Sequence, residues 1–118
     1  MTRRKGFDVC VAPQVERHIR RLAQHGGAAA DDARHLLAAQ DRLALNGTRA
    51  DGVKKLRALD LWEIRAGRYR LFFCLVPRSN LLAVGVVLAK TSRRIRMARL
   101  KRIELEVHQW RDELERER

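Results

Sequence analysis

A chain of 118 residues with 46% hydrophobic side chains has room for one domain with a modest core, spanning residues 1–118, and no room for two. Its formal net charge is +12, from 26 Lys and Arg against 14 Asp and Glu, and no apolar run approaches the roughly 20 residues that cross a bilayer. The opening Met1-Thr2-Arg3-Arg4-Lys5-Gly6-Phe7 is basic but lacks the apolar stretch of a signal peptide. A cytoplasmic protein with no membrane partner is expected.

Phe7 to Ala12 alternates, with Val9 and Val11 on one side and Cys10 on the other, and Pro13 stops it; this predicts a short first strand. From Pro13, Val15, His18, Ile19 and Leu22 recur at helical spacing until Gly26-Gly27. A second helix is predicted from about Ala28 to Leu45, with Ala33, Leu36, Leu37, Gln40, Leu43 and Ala44 on one face and Asn46-Gly47 at its end. Residues 47–60 carry turn signals and the basic knot Lys54, Lys55, Arg57. Leu61 to Arg65 and Arg68 to Val76 read as strands joined by a tight Ala66-Gly67 turn. Pro77-Arg78-Ser79-Asn80 makes a second turn, and Leu81 to Leu88 a third strand of a meander. A last helix, from about Ser92 to Arg118, carries the stripe Met97, Leu100, Ile103, Val107, Trp110, Leu114. Cys10 and Cys74 lie in apolar strands with no CxxC and no zinc spacing, so neither a metal nor a disulfide is expected, and no cofactor.

The charge is concentrated. Residues 54–102 hold fourteen Lys and Arg against only Asp60 and Glu63, and the other sixty-nine residues sum to zero. Such an excess on one hairpin and one helix start predicts a polyanionic partner, nucleic acid first. The last helix is charged against its dipole: Arg93, Arg94, Arg96, Arg99, Lys101 and Arg102 open it, and Glu104, Glu106, Asp112, Glu113, Glu115 and Glu117 follow. Each cation in the first turn costs about 0.3–1 kcal/mol, whereas a phosphate there meets both free N–H groups and guanidinium groups.

With Ala66-Gly67 as the turn, Arg65 faces Arg68, Glu63 faces Arg70 and Leu61 faces Phe72. Alternation then puts Glu63, Arg65, Arg68 and Arg70 on one face and Trp62, Ile64, Tyr69 and Leu71 on the other, core side. As structure, Glu63–Arg70 is a cross-strand ion pair worth under about 1 kcal/mol. As chemistry, a carboxylate among arginines matches metal-free RNA cleavage: a base takes the 2′-OH proton, and guanidinium groups stabilise charge on the phosphate.

The string Val53-Lys54-Lys55-Leu56 … Leu61-Trp62-Glu63-Ile64-Arg65 … Tyr69-Arg70-Leu71-Phe72-Phe73, then a Val/Leu strand and Ala89-Lys90-Thr91-Ser92, resembles the HigB-like, phage-derived branch of the RelE/ParE toxin superfamily. The resemblance covers residues 53–92 closely and the remainder by order of elements. It implies an α+β fold of N-terminal strand, helical hairpin, antiparallel three-strand meander and C-terminal helix, with helices covering one sheet face. It also implies mRNA cleavage on the ribosome and an acidic antitoxin partner. Carried over by position, Arg65 and Arg70 hold or polarise the scissile phosphate, and Lys90 matches the lysine closing the last strand, which makes it a catalytic candidate beside Glu63, Arg65 and Arg70. The resemblance also implies that Lys54 and Lys55 contact backbone and that Arg93 or Arg94 fall where the family places further basic residues, while the charge of the segment makes Arg57, Arg68 and Arg96 RNA-binding candidates as well. The chain departs from the pattern at Leu88-Ala89, where an aromatic is usual, and in its single Lys90. No Tyr or His stands at the strand end; His18, His25, His35 and His108 read as ordinary surface or partly buried side chains, so the general acid is unassigned. Three functions follow: a ribosome-dependent mRNA endonuclease toxin, a ParE-like inhibitor of DNA gyrase, or a non-catalytic nucleic-acid or antitoxin-binding module.

Overall fold

The computed structural model describes residues 6–91 and 93–117. Strand β1 (Asp8–Val11) leads into helix α1 (Pro13–His25), which starts on a proline that needs no N–H partner. Gly26 ends α1, and α2 (Gly27–Asn46) returns beside it. A 3-10 turn (Gly47–Arg49) then feeds β2 (Val53–Lys55), β3 (Trp62–Ala66), β4 (Tyr69–Leu75), β5 (Leu81–Ala89) and finally α3 (Met97–Arg116).

The expected meander is β3–β4–β5, but the sheet has five strands in the order β1-β5-β4-β3-β2. β1 runs parallel to β5, and β2 pairs antiparallel with β3. β2 escaped the sequence reading because three residues with two lysines carry no alternation. Its strand character comes from pairing Val53 with Ile64 and Lys55 with Trp62.

Helices cover both faces, not one. On the first, Ile64, Leu71, Phe73, Leu82 and Val84 pack with Val15 and Ile19 of α1 and Leu36, Ala39 and Leu43 of α2. On the second, Leu61, Phe72, Cys74, Ala83 and Val86 pack with Ile103 and Val107 of α3. The near-continuous apolar runs of β4 and β5 explain this, since a strand covered on both faces has no polar side to alternate. Leu37, expected inward, is 50% exposed; the inner line of α2 is Asp32, Leu36, Ala39 and Leu43. The stripe of α3 packs as expected from Leu100 to Leu114, and Trp110 Nε1 donates to the Cys10 carbonyl at 2.8 Å. Cys10 and Cys74 are free thiols, and burial pushes Cys74 up to about 12. Among the described residues, no helix is long and apolar enough to cross a membrane.

α3 also begins later than predicted. Ser92 lies outside the described residues, and residues 93–96 are non-helical, because Ile95 is their one apolar residue and no stripe exists there to dock. Arg93 and Arg94 therefore precede the helix, and Arg96 sits at its N-cap in extended backbone.

A bulge sets the seat of α3. Phe72 pairs with Val86 and Phe73 with Val84, so Gly85 is the extra residue. It moves Val86 and Leu88 to the α3 face, where Ala83 already points. A Cβ at Gly85 would lie 2.9 Å from the Val107 Cα, so Gly85→Val is expected to destabilise the fold by about 1–3 kcal/mol, measured by denaturant unfolding.

Candidate nucleic-acid interface

The site is built on the β3–β4 hairpin. Its turn is Gly67-Arg68 rather than Ala66-Gly67: Ala66 stays in the ladder opposite Tyr69, buried at 1%. Gly67 takes φ 61°, and a Cβ there would meet the His35 ring at 2.5 Å, which suits a turn with glycine in the first central position. Arg65 consequently faces Arg70, and Glu63 faces Phe72. Each partner moves by two residues, an even number, so Glu63, Arg65 and Arg70 keep one common face.

Arg68 does not join them. From the turn its guanidinium reaches back to α2 and grips Asp32 with both forks: Nε to Oδ1 at 3.0 Å and Nη2 to Oδ2 at 2.8 Å. Asp32 is 4% exposed, and the hydrogen bonds from Arg68 hold its carboxyl below the usual carboxylate range. Sequence reasoning missed it, although Asp32, Leu36, Ala39 and Leu43 follow one helical line, which puts a carboxylate on an apolar stripe.

Glu63 is 8% exposed, stands opposite Lys54 in the ladder and accepts from Arg70 Nη1 at 3.3 Å. Arg65 is exposed and directly opposite Arg70. Like charges in that position repel, and one near-buried carboxylate offsets only part of this. Around the pair lies an open groove of about 1060 Å³. Lys54 and Arg57 line it from the β2 side, and Lys90, Arg93 and Arg94 from the segment crossing to α3. The β2–β3 loop holding Arg57 has Ala58 at φ 61° and is tied to α3 by a hydrogen bond from the Asp60 amide to Glu104 at 2.7 Å.

All four expected catalytic residues, Glu63, Arg65, Arg70 and Lys90, therefore meet in one groove with Lys54, Arg57, Arg93 and Arg94. Lys55, Arg68 and Arg96 are not in its lining. Lys55 follows Lys54 in a strand and so points away, its Nζ donating to the Leu59 carbonyl at 2.9 Å. The groove also has an apolar side that the sequence reading did not single out: Leu56, Ile95, Met97 and Leu100. Among the described residues, no His or Tyr lines it. His108 is engaged with the Asp60 carbonyl at 2.7 Å, and His18 meets the Tyr69 ring edge-on at 5.8 Å. Among the described residues, no group of three or more His, Cys, Asp and Glu is placed to hold a metal.

No protein-family model matches this chain, and no curated protein sequence matches it. Among solved structures it is similar to a chain of the archaeal RelE–RelB complex from Pyrococcus horikoshii OT3, with a TM-score of 0.57 and 20% sequence identity over 74% of this chain and 98% of that one. The fold is RelE-like.

Two outcomes follow from these charges. Removing the repulsion, Arg65→Gln is expected to raise stability by a few tenths to about 1 kcal/mol in denaturant unfolding. Asp32, with its carboxyl lowered in the folded state, adds stability that is present above the unfolded carboxylate value of about 3.9 and is lost as pH falls through the folded one. The acid side of the stability–pH curve of Asp32→Asn is therefore expected to be shallower than that of the wild type.

Proposed function

We propose that this protein is the toxin of a type II toxin–antitoxin pair, of the HigB-like branch, and that it inhibits translation by cutting ribosome-bound mRNA without a metal. One observation carries the reading: Arg65 and Arg70 stand directly opposite each other on the floor of a cationic groove, an arrangement that costs stability and suits one phosphate held between two guanidinium groups. In the proposed reaction Glu63 accepts the 2′-OH proton, the 2′-oxygen attacks phosphorus, Arg65 and Arg70 stabilise the charge on the phosphoryl oxygens, and Lys90 protonates the departing 5′-oxygen. Lys54, Arg57, Arg93 and Arg94 hold flanking phosphates. The net charge of +12 favours an acidic antitoxin, in keeping with a fold neighbour whose structure is a complex with RelB.

A non-catalytic polyanion-binding module is the second reading, favoured by a groove lined by neither His nor Tyr. The test is primer-extension mapping of mRNA on translating ribosomes. The wild type is expected to cut, and Arg70→Ala to lose about 10²–10³-fold in rate, as for a group that stabilises transition-state charge. Equal cutting by Arg70→Ala overturns the nuclease reading. Salt-sensitive binding without cutting selects the module, and inhibition of DNA supercoiling selects a gyrase poison.

A further inference from the structure

Arg68 belongs to the basic segment yet is turned away from the groove, and its backbone does something its side chain does not. Its carbonyl accepts from the Lys90 N–H at 2.6 Å, which continues the β4–β5 ladder by one pair beyond Tyr69 and Ala89. Lys90 is otherwise exposed, one residue past the end of β5, where the chain leaves the sheet for α3. The Arg68 side chain meanwhile is anchored by three hydrogen bonds to Asp32, whose side chain is 6% exposed on α2. A second grip lies ten residues along the same helix: Arg42 Nη2 donates to the Arg65 carbonyl at 2.7 Å. α2 thus holds the hairpin from behind at both sides of its turn, while the front of the hairpin faces the groove.

We infer that Asp32 and Arg68 are positioning residues for Lys90: the buried carboxylate fixes Arg68, and the Arg68 carbonyl fixes the Lys90 backbone, which sets the ammonium group at the rim of the groove. This rests on the reading of the groove as an RNA-cleaving site. It assigns Arg68 no contact with RNA, although its charge and place in the sequence favour one. The planar fork of Arg is needed for the role, because it meets both carboxylate oxygens, and Lys would not.

The two roles differ in sign at Asp32. If Arg68 contacts RNA, Asp32→Asn frees a cation and strengthens binding, and Arg68→Ala weakens it and lowers the salt slope by about 0.7 for a single strand. If the pair positions Lys90, Asp32→Asn and Arg68→Lys both lower kcat by about tenfold or more. The affinity for a 2′-deoxy, uncleavable oligonucleotide and its salt slope then stay at wild-type values, and the double variant is no worse than either single one. Arg68→Lys keeps the charge and changes the turn least, so a folding failure of Asp32→Asn leaves the comparison intact.

Hydrogen exchange separates this from failure of the nuclease reading. Should the wild type cut no RNA, the pairing still predicts faster exchange of the Lys90 amide in Asp32→Asn while the Phe73 amide stays protected. Unchanged Lys90 protection, or kcat unchanged in Asp32→Asn, overturns the inference.

Discussion

The register of β3 against β4 is the constraint on which the functional surface depends. Gly67 begins the turn, with φ 61° and the His35 ring in the space of its absent side chain, and Ala66 remains paired and buried opposite Tyr69. From that follow the relations across the hairpin, with Arg65 opposite Arg70 and Glu63 opposite Phe72 and in reach of Arg70; the β2–β3 register separately sets Lys54 opposite Glu63. A hairpin alone holds such a register weakly, since two strands are marginal in water. Here the register is secured by apolar layers on both faces and by α2, which bonds Arg68 and the Arg65 carbonyl.

The magnitudes divide the labour. Phe72 and Phe73 are fully buried on opposite faces, and each such side chain contributes about 1.5–3 kcal/mol. Exposed ion pairs contribute about 1 kcal/mol or less. The frame is therefore carried by apolar packing, and the surface charges can be arranged for a ligand rather than for the fold. Arg65 and Arg70 illustrate this, as does the basic segment before α3, where Arg93 and Arg94 face the groove. Arg68 and Lys55 are exceptions, cations of the basic segment whose side chains hold structure: Arg68 binds Asp32 and Lys55 the Leu59 carbonyl.

The legible parts were those whose signal is local. The α1–α2 hairpin, the meander and the stripe of α3 were read from periodicity and breakers, because 3.6- and 2-residue spacings reflect burial directly. The common face of Glu63, Arg65 and Arg70 was also legible, since alternation survived a turn misplaced by one residue. What failed depended on neighbours. β2 is a strand only through β3, the start of α3 was placed too early because cations alone do not mark a helix, and the outward side of Leu37 was hidden in a run of Leu and Ala.

Where the charge lies, which residues alternate and which recur at helical spacing can be read along the chain, because charge and burial pattern are properties of single residues and short windows. The contact each cation makes depends instead on packing between distant elements. Lys54 and Lys55 are neighbours in the chain, yet one lines the groove and the other holds a loop carbonyl. Arg68 and Arg70 are two residues apart, yet one faces Asp32 on α2 and the other Glu63 across the ladder. The partner that separates them, Asp32, lies 36 residues away from Arg68. Such a choice is made by the packing of α2 on the sheet, which no local spacing encodes.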